Sequence, residues 1–287
     1  MSRSRFSLPL AALGAALVAL PAAALADDKP VPQNDLLNAT LYVTNSVEFK
    51  ATALEAYALA KVRLDEALAD KSWTAATEQT GDFQNLPPAI VLDADESVID
   101  NGAYEAWLVK TGQDYSGKTW AAWVASAEAG AVPGAVDFTK YADSKGVKVF
   151  YVTNRTADQE EATRKNMQAL GFPMGGDVDT FLMSKEKDDW TSKKGTRRAF
   201  VAQSYRILLL VGDNYGDFSD AYGGSEADRL ASFQSNAAHI GHDWIFIANP
   251  EYGSFESAPF LSDYKKSADA RRQMKIDAMP VWASAPK

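Results

Sequence analysis

The sequence predicts an α/β fold: a doubly wound parallel sheet with a smaller helical lobe built from the N- and C-terminal segments. Three observations predict it. Short apolar runs at 89–92, 147–152, 180–183, 207–211 and 244–247 read as strands buried on both faces. Segments of helical periodicity separate them, and a β–α–β–α–β order favours parallel pairing through right-handed crossovers. Several runs end in polar or acidic residues, and open α/β sheets bind ligands at that carboxyl edge.

In chain order, the first 26 of the 287 residues have the form of a secretory signal. Arg3 and Arg5 precede a mostly apolar run from Phe6 to about Leu20, and Ala24-Leu25-Ala26 is a small-x-small cleavage site. Residues 27–287 then read as a single domain, with a core over about 86–250 and the helical lobe from about 33–80 and 255–280. Leu36, Leu37, Leu41, Val47, Leu54, Tyr57, Leu64 and Leu68 recur at helical spacing and predict one or two packing helices over 33–70. Pro87-Pro88 breaks the chain before the first strand, which ends in Asp93-Ala94-Asp95. Strand alternation points those two carboxylates the same way, where they repel one another unless a cation or a proton joins them.

Tyr104, Trp107, Tyr115, Trp120 and Trp123 follow, either as core filling or as a stack for a flat ligand. Ser116 is placed to cap a helix running to about Glu128, and Pro133-Gly134 opens another that ends near Ser144. The second strand ends in Thr153-Asn154-Arg155, before a helix over about 157–170 closed by Gly171. A hydroxyl and helix N-terminal amides there suit an anion. The third strand leads into a segment with Lys185, Lys187, Lys193, Lys194, Arg197 and Arg198, mostly a solvated face. After the fourth strand, Gly212 is expected to turn the backbone sharply and bring Asp213 to the edge shared with Asp93, with Asp217 four residues on. Helical sequence to about Met274 ends the chain.

Composition narrows the chemistry. Formal charge is −9, and about −11 without Arg3 and Arg5, which argues against nucleic-acid polymers as partners. With no cysteine there is no disulfide, no thiol nucleophile and no site for lipid attachment, so no membrane anchor is expected once the signal is removed. Periplasmic or secreted is the reading. His239 and His242, the two histidines, are too few for a three-histidine metal site and are assigned to structure or surface. If the chain is a hydrolase, carboxylates must carry the reaction.

Taken together, the ordered motifs Asp93-Ala94-Asp95-Glu96-Ser97, Thr153, Lys194 and Gly212-Asp213-Asn214-Tyr215-Gly216-Asp217 resemble those of the haloacid dehalogenase (HAD) superfamily. The stretches LDADESVIDN, GKTWAAWV, AVPGAVDF, KVFYVTNR and VGDNYGDF look more narrowly like the class C acid phosphatases, secreted nonspecific acid phosphatases and 5′-nucleotidases. Ser97 stands where Thr is usual, and extra residues from Glu186 to Thr191 leave Lys194 or Lys193 as the motif lysine, with Lys194-Gly195-Thr196-Arg197-Arg198 favouring the former.

The resemblance implies a secreted Mg²⁺-dependent acid phosphatase acting on phosphomonoesters, 5′-nucleotides first, through an aspartyl-phosphate. Asp93 would be the nucleophile and Asp95 the alternating acid and base. Mg²⁺ would be held by Asp93, the Asp95 backbone carbonyl and Asp213, with Asp217 a weaker ligand through water. Thr153 and Asn154 would hold phosphoryl oxygens and Lys194 would neutralise their charge. Trp120, Tyr252 and Phe255 would form an aromatic pocket for a nucleobase, with core packing the alternative for Trp120. The family also suggests a homodimer. A sugar- or aryl-phosphate phosphatase on the same scaffold is the alternative function. A non-catalytic periplasmic binding protein would be expected to lack a motif acid, and none is lacking.

Overall fold

Two helices open the described part of the chain, residues 33–283 of the computed structural model; the signal expected over 1–26 lies outside the described residues. α1 (Leu37–Asn45) and α2 (Val47–Ala69) are separated at Ser46, which is extended and whose Oγ accepts the Phe49 N–H to start the second helix. The inner stripe of α2, Phe49, Ala53, Tyr57, Ala60, Leu64 and Ala67, falls every three or four residues and is buried. Arg206 closes its far end, donating to the carbonyls of Ala67, Asp70 and Trp73 at 3.1, 2.6 and 3.2 Å.

From β1 (Pro88–Leu92) the chain passes through β2 (Ile99–Asp100), α3 (Gly102–Thr111), α4 (Gly117–Ser126), β3 (Gly130–Ala131) and α5 (Ala135–Ser144). It returns as β4 (Lys148–Thr156), then α6 (Glu160–Leu170), β5 (Phe181–Ser184), α7 (Gly195–Ala202) and β6 (Arg206–Gly212). α8 (Glu226–Ser235), β7 (Trp244–Phe246), α9 (Ser254–Ser257) and α10 (Ala268–Ala278) complete it. The main sheet has the order β5-β4-β1-β6-β7, and every neighbouring pair is parallel. The chain thus winds outward from β1 to β5 and then crosses to the other side of β1. That reversal is a topological switch point, with its crevice at the carboxyl ends of β1 and β6.

Both faces of the sheet are covered, as the apolar runs predict. Ile90 and Leu92 pack with Val149, Tyr151 and Val211 beneath α2, α5 and α6, while Ala89 and Val91 pack with Phe150, Val152 and Trp244 on the other face. In β6 the alternation slips: Leu208 and Leu209 share a face, because the pairing with β1 shifts between Ala89 and Ile90.

Details differ from the sequence reading at element ends. A 3₁₀ turn, Ala157–Gln159, precedes α6, which Gly171 closes at φ 90°. Ser116 caps α4 by accepting the Thr119 N–H at 3.2 Å, but the helix stops at Ser126 because Ala127 turns left-handed. The antiparallel pair β2–β3, two residues to a strand, has no sequence signature at that length. The two described ends meet where Arg272 of α10 pairs with Asp35 at 2.8 Å. Among the described residues no helix is long and apolar enough to cross a membrane.

Candidate active site

β1 runs on into Asp93, whose N–H still donates to the Val211 carbonyl at 2.9 Å. The chain then folds back on itself. The N–H groups of Val98 and Ile99 both reach the Ala94 carbonyl, at 2.9 and 2.8 Å, and Glu96 adopts a left-handed φ of 56°. From α2, the Tyr57 hydroxyl donates to the Ser97 carbonyl at 2.5 Å and fixes the base of this loop. Ser97 Oγ in turn donates to Asp213 Oδ1 at 3.0 Å and lies 3.4 Å from Asp93 Oδ2.

Asp213 arrives at the end of β6, where Asn249 Nδ2 donates to its Oδ2 at 2.8 Å. The expected turn-forming role of Gly212 is corrected here. Its φ is not positive, and what the missing side chain permits is close approach: a Cβ would run into the Asp217 carboxylate. Asp217 is folded back by a 3₁₀ turn in which its Oδ2 accepts the Asn214 N–H at 2.8 Å. Asp93, Asp213 and Asp217 therefore each offer an oxygen, all within 4.8 Å of one another.

The cation among them comes from the loop before α7. Lys194 Nζ pairs with Asp93 and, at 2.7 Å, with Asp217, whereas Lys193 is exposed; of the two candidate lysines, Lys194 is the one in the site. Arg197, wholly buried, ties that loop to the end of β4 by donating to the Thr153 and Thr191 carbonyls and to Asn154 Oδ1. Thr153 Oγ1 accepts the Arg155 N–H at 3.0 Å, which bends the strand end. The Asn154 amide is engaged at both ends, since its Nδ2 also donates to the Ser192 carbonyl at 3.2 Å. Its side chain braces the Lys194 loop in this structure.

Charge balance explains the electrostatics. Burial pushes Asp93 up to about 7; Lys194 opposes this, while Asp217 and Asp95 add to it. Burial, then Asp217 and Asp93, hold Asp213 well above the usual carboxylate range. Burial works against the Lys194 ammonium, but Asp217 and Asp93 outweigh it and keep its pKa above the ordinary lysine value. Three clustered acids, Asp93 and Asp217 buried and Asp213 half-buried, beside one ammonium are short of positive charge, and their hard oxygens fit a divalent cation such as Mg²⁺.

Asp95 stands on the same edge but outside the three-acid cluster, and its carboxylate meets Arg155 at 2.8 Å. Trp120 lies beside that pair, its ring 5.5 Å from the Arg155 guanidinium and edge-on to Tyr104. Tyr252 is half-buried in the loop after β7, and Phe255 lines a cleft of about 520 Å³ together with Asp213, Asn214, Phe233 and Phe246. Among the described residues no ring contact joins Trp120 to Tyr252 or Phe255. The histidines are structural: His239 stacks on Trp244 and His242 on Trp73. Asn101, Arg155, Arg197 and Asn249 carry no site role in the sequence reading. For two of them the signal is position at the carboxyl edge, since Arg155 lies at the end of β4 and Asn249 follows the end of β7.

Comparison with known proteins agrees with this geometry. Residues 12–255 match the family described as HAD superfamily, subfamily IIIB (Acid phosphatase). The crystal structure of the Class C acid phosphatase from Bacillus anthracis is similar, with 35% identity and a TM-score of 0.76 over 86% of this chain and 97% of that one. The same enzyme with tungstate bound matches equally well, at 35% identity and a TM-score of 0.76.

Proposed function

The chain belongs to the subfamily IIIB acid phosphatases of the HAD superfamily and is a phosphomonoesterase, and on that footing we propose an exported, Mg²⁺-dependent enzyme that prefers 5′-nucleotides and works through an aspartyl-phosphate. The observation that carries this reading is the meeting of Asp93, Asp213 and Asp217 with Lys194 at the switch point, with Asp95 on the same edge.

Asp93 attacks phosphorus, a new O–P bond forms, and the bond from phosphorus to the leaving oxygen breaks. Asp95 gives that oxygen a proton as it departs. Water then attacks the acyl phosphate, Asp95 takes its proton, and inorganic phosphate leaves with Asp93 restored. Lys194 and the end of β4 at Thr153 face the phosphoryl oxygens and stabilise their charge. Asp93, Asp213 and Asp217, with the Asp95 carbonyl, would hold Mg²⁺, which would supply positive charge to offset repulsion between the anionic nucleophile and the phosphate. The tungstate, a tetrahedral oxyanion, on the relative supports an anion site of this kind. Trp120, Tyr252 and Phe255 are the aromatic surfaces available to a nucleobase, at about 1–3 kcal/mol for each stacked base. Export rests on the signal-like leader over 1–26.

The test is phosphate release from a 5′-nucleotide at mildly acidic pH, with Mg²⁺ and then with excess chelator, beside Asp93→Asn. Release should require metal and vanish in the variant. An Asp93→Asn protein that kept full turnover would sink the mechanism. Equal rates on sugar and aryl phosphates would remove the nucleotide preference alone.

A further inference from the structure

The Asp95 carboxylate is held by more donors than its place at a reaction centre requires. Arg155 Nε reaches Oδ1 at 3.0 Å and Oδ2 at 3.2 Å, and Nη2 reaches Oδ1 at 2.8 Å. Asn101 Nδ2 adds a further bond to Oδ1 at 2.9 Å. The holders are themselves fixed. Arg155 is buried, and its Nη1 donates to Thr163 Oγ1 on α6 at 3.1 Å. Asn101 Oδ1 accepts from Trp123 Nε1 at 2.8 Å and from Arg155 Nη2 at 3.3 Å. Since indole and guanidinium nitrogens only donate, the Asn101 oxygen must face them, which leaves its amide nitrogen to face Asp95.

The two Asp95 oxygens are therefore unequal. Oδ1 takes three donors and has no lone pair to spare, whereas Oδ2 takes one longer bond. We infer that Arg155, buttressed by Asn101, is a positioning residue that locks the Asp95 carboxylate with Oδ2 as the oxygen through which protons pass to the leaving group and from water. The Trp120 ring against the same guanidinium places this clamp beside an aromatic surface available to the leaving group. The inference rests on the role proposed above for Asp95, and it predicts an effect that depends on the leaving group. A nitrophenolate departs without a proton, whereas a nucleoside 5′-oxygen needs one in the transition state.

The experiment compares Arg155→Ala with the natural chain in rapid-mixing kinetics, on 4-nitrophenyl phosphate and on a nucleoside 5′-monophosphate. Leaving-group release in the first turnover should stay within about threefold for the nitrophenyl ester and fall about 10²-fold or more for the nucleotide. The variant should also show a burst of nitrophenol, since the later step still needs Asp95 to take a proton from water. Arg155→Lys, which keeps the charge and loses the fork, should fall between. Equal losses on both substrates, or none on the nucleotide, would overturn the clamp. If Arg155→Ala does not fold, Asn101→Ser carries the same test with a smaller split. If the natural chain itself forms no acyl phosphate with either substrate, the covalent mechanism on Asp93 fails, and with it the Asp95 role on which the clamp rests, and the two failures are distinguishable.

Discussion

Lys194 shows what a single buried charge does in this molecule. It is the shared partner of Asp93 and Asp217, and its removal leaves two acids facing each other away from water. Breaking a buried pair in this way costs about 3–5 kcal/mol. Lys194→Met is therefore expected to lower the melting temperature, to be partly rescued by Mg²⁺, and to lose about 10²–10³-fold in kcat even when saturated with metal. Calorimetry and steady-state kinetics on the purified variant check both halves; unchanged kcat would remove Lys194 from the reaction. The acids are legible in the sequence because short spacings mark them, as in Asp93-x-Asp95 and Asp213-x-x-x-Asp217, whereas no such spacing separates Lys194 from Lys193 and the fold does so. The Arg155–Asp95 pair is not, since sixty positions separate its members and only the strand order brings them together.

Elements were legible where they were long. Each sheet strand announced itself as an apolar run because both faces are buried; α2 announced itself by its helical period, but of the residues read there Tyr57 and Leu64 are buried while Val47 and Leu54 are exposed. The short β2–β3 pair and the 3₁₀ turns were not, because tertiary hydrogen bonds rather than periodicity define them. The packing of α1, α3 and the loop after β7 also holds a pH dependence. Burial, then Glu251 and Glu256, pushes Glu105 of α3 up to about 8. Burial pushes Glu251 up to about 7, eased by Thr40 of α1 and reinforced by Asp100. Both acids bind protons more tightly in the folded chain than at their ordinary value of 4.5. The stability these two acids contribute is therefore fully present below about pH 4.5, is lost as pH rises through about 7 and 8, and changes no further above. In saturating Mg²⁺, where the site acids are paired, the melting temperature should be higher at pH 5.5 than at pH 8.5. Glu105→Gln should narrow that gap; an identical gap in the variant would place its cause elsewhere.

For the whole molecule, a divalent metal at this site would be a folding ligand as well as a reagent. Asp93 and Asp213 come from different strands, so a cation that joins them binds only the assembled sheet and stabilises it by mass action, about 2.7 kcal/mol at a hundredfold excess over Kd. Differential scanning calorimetry should show a melting temperature that climbs with Mg²⁺ concentration and returns on chelation. Asp213→Asn should abolish the climb. Gly212→Ala should do the same without removing any ligand, because its methyl group displaces Asp217.

The strand order has a consequence for how the chain is made. β1 is the first sheet strand to leave the ribosome and the innermost one in the finished sheet, flanked by β4 and β6. Until residues 148–156 and 206–212 have emerged, it has two bare edges and no partner for either. A nascent chain halted before residue 206 would thus carry Asp93, the proposed nucleophile, on a sticky, half-paired strand that cannot chelate, and such stalled fragments should depend on holdase chaperones far more than the completed protein does.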